Sequence, residues 1–173
     1  MNQKLAQQFD ALETRRNKLI ARVKQVPEKF NIKPDPASWS IHQVLAHLIA
    51  AEKLSVQYLS KKLQGIDAAD NTGVFEEMKM MVLKISQRLP LKFKAPQRVV
   101  ENTPSYESLD ALAEDWSKTR HMLRAELEKI QDHQLKKKIY KHVIAGRLNI
   151  IHALDFLEEH INHHMRQLNR LLQ

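Results

Sequence analysis

The chain has 173 residues, of which 43% are hydrophobic; that is enough for one domain with a sizeable core and too little for two, so residues 1–173 are read as a single domain. Cysteine is absent, which excludes disulfides and protein thiolate chemistry and restricts any metal site to nitrogen and oxygen ligands. The formal charge of +8 would suit a nucleic-acid partner if it were clustered, but the basic residues are scattered, Lys136-Lys137-Lys138 is the one run, and no base-stacking platform is evident among ten aromatic residues.

Only three glycines interrupt the chain, and apolar residues recur at helical rather than alternating spacing, which predicts an all-α protein. The first helix is predicted over Gln3 to Val26, with Leu5, Phe9, Leu12, Leu19 and Val23 inward and Pro27 closing it. A loop over Asn31 to Ser38 follows. Ser40 and Gln43 have the spacing of a capping box, with Trp39 and Val44 at the positions of a hydrophobic staple, so a second helix is predicted from there to about Leu63, ended by Gly65. A shorter helix is predicted over Val74 to Leu89, stopped by Pro90, and an extended crossover over Leu91 to Glu101. Thr103-Pro104 or Ser105 opens the next helix, whose buried face carries Leu109, Leu112, Trp116, Leu123, Leu127 and Ile130. After a loop containing Gly146, the last helix runs from about Asn149 to the C-terminus.

Four long amphipathic helices bury their stripes most simply as a four-helix bundle, joined here by a long crossover and carrying a short extra helix. Cofactor sites in bundles are built from inward side chains, which makes the nine histidines the residues to place. In "EEHINHHMRQL", His160 and His164 project from nearly the same side, because four steps of about 100° fall within roughly 40° of a full turn. Both lie beside the stripe of Ile150, Leu154, Leu157, Ile161 and Leu168, whereas His163 and His152 fall on the solvent side. On the second helix His47 sits between Val44, Ala51 and Leu54, among apolar neighbours that favour the neutral, metal-competent imidazole; His42 lies at the exposed margin. If these faces meet, three imidazoles can bind a divalent ion and leave a position open. The spacing alone is equally met by surface or hydrogen-bonded histidines.

The same residues carry a family resemblance. "WSIHQVLAHLIAAE" (Trp39 to Glu52) resembles the Trp-Ser segment with a downstream His that opens the second helix in the DinB-like superfamily, which includes the YfiT-like metal-dependent hydrolases. "HINHHMRQL" (His160 to Leu168) resembles its C-terminal His-x-x-x-His-x-x-Gln signature, and "HVIAGRLNI" (His142 to Ile150) its His-Pro-x-x-Gly turn, with Val143 in place of Pro. The resemblance implies a four-helix bundle holding a divalent metal on His47, His160 and His164, with nickel or zinc expected first and manganese or iron after them. It also implies frequent homodimers, and relatives that are thiol-dependent S-transferases using bacillithiol or mycothiol, or a maleylpyruvate isomerase. His163 adjoins one proposed ligand, Asn162 and Gln167 are candidate polar neighbours, and Glu52 is read as a structural or surface carboxylate, so no catalytic base is named.

The expected function is therefore metal-dependent thiol transfer or hydrolysis on a small molecule, against a non-catalytic metal- or ligand-binding module. Without a signal segment or an apolar run near the roughly 20 residues needed to span a bilayer, the expected location is the cytoplasm, with neither a membrane nor a specific nucleic acid as partner.

Overall fold

The computed structural model describes residues 1–89 and 95–173. Helix α1 (Gln3–Lys24) starts where the Asn2 side chain accepts from Lys4 N at 2.8 Å. It ends two residues before the predicted Val26, since the residue preceding a proline is disfavoured in the helical region and Val26 turns to φ −137°. Helix α2 (Ile41–Leu63) opens on the expected capping box: Gln43 N donates to Ser40 Oγ at 3.3 Å and Ser40 N to Gln43 Oε1 at 3.1 Å. These two bonds satisfy two backbone donors that the first turn would otherwise leave without partners.

Helix α3 (Val74–Arg88) follows the reading closely. The stop at Pro90 and the first residues of the predicted crossover lie outside the described residues. The remainder of that crossover is not extended: Gln97–Glu101 forms a short helix, α4, behind Pro96. Helix α5 (Leu109–Glu128) begins later than Thr103 or Ser105, because Ser108 is the residue whose hydroxyl accepts from Ala111 N, at 3.1 Å. Where a loop was predicted, Tyr140–His142 (β1) and Gly146–Leu148 (β2) pair antiparallel, and Gly146 takes a φ of +75° that side chains disfavour. Helix α6 (Ile150–Leu172) starts at the expected Asn149, which accepts from His152 N at 2.9 Å.

The chain is thus all-α apart from this hairpin. Helices α1, α5, α2 and α6 neighbour one another in that cyclic order, while α3 lies against the outer side of α6. Their apolar stripes meet in one continuous core that includes Leu12, Leu45, Ile49, Trp116, Leu123 and Leu154. No helix among the described residues is long and apolar enough to cross a membrane.

Candidate metal centre

Helices α2 and α6 run side by side in this core, and each contributes histidines to the seam. His47, whose predicted flank is deeply buried at 5% exposure, points its Nε2 at His160 Nε2, 3.2 Å away. His164 sits one turn beyond His160; the three ring centroids are 5.0–5.1 Å apart, and one nitrogen from each ring falls within 4.8 Å of the others. Among the described residues no carboxylate joins this cluster.

Electrostatics keep the donors unprotonated. Burial pushes His47 and His164 down to about 4, and it holds His160 well below the ordinary histidine range, with repulsion from His164 and His47 adding to the effect. All three are therefore neutral at pH 7, as metal ligation requires. Gln167 Oε1 accepts from His164 Nδ1 at 3.2 Å, which fixes the tautomer and leaves the Nε2 lone pair outward, the usual arrangement of a second partner behind a ligating ring. Phe156 stacks on His160 at 5.5 Å and 12°, and the Trp39 ring lies 5.2 Å from His47, so the cluster has aromatic walls on two sides. His160 and His164 stay half-buried.

A fit to a cation can be read from the spacing. Two imidazole nitrogens bound at about 2.05 Å in tetrahedral geometry stand about 3.3 Å apart, and the His47–His160 pair stands at 3.2 Å. As the rings lie, one Nε2 must donate to the other. With a cation between them both would present lone pairs, and three neutral imidazoles form a donor set that suits first-row divalent ions generally. The residues present fit a divalent metal.

The family model described as the DinB superfamily matches residues 11–168. The chain belongs to the DinB superfamily. The uncharacterised protein YuaE of Bacillus subtilis (strain 168) is a relative, 24% identical over 144 residues, 83% of each chain. No solved structure matches.

Other histidines of this DinB-superfamily chain fall differently from the wheel. His163 stays out of the cluster, its Nδ1 2.9 Å from the Gln87 carbonyl on α3. His152, predicted at the solvent side, is 2% exposed with Nε2 3.0 Å from Glu77 Oε1, because α3 covers that side of α6. His42, predicted at an exposed margin, is half-buried and accepts from Tyr106 N at 3.0 Å. Asn162 accepts from Arg15 at 2.9 Å, facing α1 rather than the histidines. Glu52 is 3% exposed, 2.6 Å from Arg120 Nε, and accepts from Trp116 Nε1 at 3.0 Å, which makes it a structural carboxylate of the core.

His142 opens the "HVIAGRLNI" segment and lies outside the histidine cluster. It is buried, its Nδ1 accepts from the amides of Ile144 and Ala145 at 3.2 and 3.1 Å, and its ring meets Phe156 edge-on at 4.5 Å. The signal that could have found it is its place immediately ahead of a hairpin turn, where a side-chain acceptor can satisfy turn amides. The basic run also has a local use: Lys137 Nζ donates to the carbonyls of Asp67 and Ala69 at 3.0 and 2.8 Å, and Lys138 Nζ lies 3.2 Å from Glu76.

Proposed function

We propose that this DinB-superfamily protein is a divalent-metal-dependent enzyme acting on a small molecule, with His47, His160 and His164 as ligands and nickel or zinc as the ion. The observation that carries the reading is the convergence of three neutral imidazoles from α2 and α6 within 4.8 Å, with half-buried rings on the α6 side. A divalent ion bound there supplies a Lewis acid that acidifies a thiol or a water in its open position.

The chain's own residues do the rest. His47 anchors from the buried side, Gln167 holds His164 by its Nδ1, and Phe156 holds the plane of His160. Trp39 and Phe156 narrow the approach to a small molecule. Among the described residues no carboxylate joins the cluster to act as a general base, and a thiol needs less help in losing its proton than water does. This favours S-transfer from a low-molecular-weight thiol over hydrolysis.

The test is metal content of tag-free protein by plasma mass spectrometry, followed by thiol titration of the cobalt-substituted form. One ion per chain and a sulfur-to-cobalt absorption band on thiol addition are expected. An ion without a thiol response or any hydrolytic turnover would mark a metal-binding module. Failure to take up nickel, zinc, manganese or iron would overturn the reading.

A further inference from the structure

Thirteen large apolar side chains stay exposed among the described residues, and nine of them belong to two neighbouring elements. Val143 and Ile144, at the tip of the β1–β2 hairpin, are 78% and 69% exposed. The other seven run from Val74 to Leu89, on α3 and just past its end, among them Phe75, Met78 and Val82. A helical wheel sets these seven within an arc of about 120°. Lys79 joins the two elements: its Nζ lies 4.2 Å from the centre of the Phe75 ring and 4.0 Å from where a Cβ on Gly146 would stand. Single exposed apolar residues are ordinary, whereas a patch drawn from two elements marks a contact surface.

Charge selects what this surface meets. In the hairpin register Lys141 stands directly opposite Arg147, and both side chains are exposed; like charges so placed destabilise a strand pair. Among the described residues neither has a carboxylate partner, and neither does Lys79. The neighbouring cations are already engaged, Lys84 by Asp155, Arg88 by Glu159 and Lys138 by Glu76, and the Glu77 carboxylate is taken by His152 on the α6 side of α3. What remains is an apolar tip ringed by three unneutralised cations, which complements a layer of anionic headgroups over hydrocarbon.

We infer that the hairpin tip and the adjoining face of α3 dock the protein reversibly on an anionic phospholipid bilayer. Val143 and Ile144 enter the boundary between headgroups and acyl chains, the outward residues of α3 lie along it, and Lys141, Arg147 and Lys79 meet lipid phosphates. The attachment is interfacial, so it needs no helix able to cross a membrane, and among the described residues there is none. The expectation of no membrane partner rests on spanning segments alone and does not bear on a surface of this kind. Nor does the inference depend on the metal reading.

The test is flotation of the tag-free chain with vesicles of phosphatidylglycerol and phosphatidylcholine in equal parts, against phosphatidylcholine alone. Binding to the anionic vesicles only, weakened by added salt, is expected. Each basic side chain near an anionic leaflet contributes about fivefold in partitioning, so Lys141→Gln/Arg147→Gln should lower it roughly 25-fold. Val143→Ser/Ile144→Ser, altered only at exposed positions, should lower it about tenfold or more with unchanged circular dichroism. The chain has no cysteine, so a polarity-sensitive fluorophore on one introduced thiol reports insertion. Its emission should move to the blue on anionic vesicles when carried by an Ile144→Cys variant, and stay unchanged on Met122→Cys, an exposed position on α5 across the bundle. No flotation with anionic vesicles, equal flotation with phosphatidylcholine alone, indifference to the double glutamine change, or the same shift at both labelled positions would each overturn the proposal. A native chain that ignores vesicles and forms a dimer broken by Val143→Ser/Ile144→Ser would assign the surface to a second copy and overturn it as well.

Discussion

His47 Nε2 on α2 and His160 Nε2 on α6 meet at 3.2 Å although 113 residues separate them in the chain. In the contact one Nε2–H donates to the other Nε2, whereas around a bound cation both rings would present an Nε2 lone pair. His47→Ala, His160→Ala and His164→Ala are each expected to reduce bound metal to background, while His163→Ala, which lies outside the cluster, keeps it. Plasma mass spectrometry beside circular dichroism separates ligand loss from unfolding. Equal retention in all four variants would remove the ligand assignment.

The pH dependence follows from the same burial. His47, His142 and His164 are held down from 6.5 to about 4. As pH falls below about 6.5 the unfolded chain takes up protons on these rings while the folded chain does not, so the unfolded state binds more protons and stability declines towards pH 4. For His47 alone the drop from 6.5 to about 4 corresponds to about 3 kcal/mol. Urea unfolding of the metal-free protein at pH 7.5 and pH 5 measures it, and equal free energies at the two values would contradict the buried neutral state.

What the sequence disclosed depended on whether one helix wheel was enough. His47, His160 and His164 were legible because each lies on a stripe marked by its own helix's leucines. His152 was misplaced because its wheel has a second covered side, the one beneath α3, and nothing in α6 alone announces that neighbour. His42 failed for the same reason, since the segment bearing Tyr106 returns over α2. The hairpin went unread because strands of three residues are too short to show alternation.

That hairpin makes His142 testable apart from the cluster. Its Nδ1 accepts two turn amides, and the Ala145 amide is buried, so His142→Ala strands a donor at a cost of about 1–3 kcal/mol. His142→Asn puts a side-chain oxygen near the same place and should recover more than half of that loss. Chemical denaturation of the two variants decides the matter, and identical losses would show that the ring's packing on Phe156, rather than its nitrogen, holds the turn.

The Glu52–Arg120 pair was also within reach of the sequence. Arg120 falls four residues after Trp116 and three before Leu123, and Glu52 four after Leu48, so both charges lie on apolar stripes whose facing helices could pair them. In the structure they are 3% and 1% exposed and 2.6 Å apart. Burial raises the Glu52 carboxyl, while Arg120 and the Trp116 indole oppose that shift. Taking both charges out of water costs much of what their attraction returns, whereas removing Glu52 leaves the buried Arg120 only the longer 3.7 Å contact to Glu13. Glu52→Ala is therefore expected to destabilise the fold by about 3–5 kcal/mol. The Glu52→Leu/Arg120→Met double variant should recover part of that loss in urea, because apolar side chains of similar volume remove both desolvation penalties together, while the buried Trp116 Nε1 is left without its acceptor. Both variants should bind the same metal per folded chain, since neither residue belongs to the histidine cluster. A double variant as unstable as Glu52→Ala would instead mean that the core needs the ion pair and its bond to Trp116 to set the packing of α2 against α5.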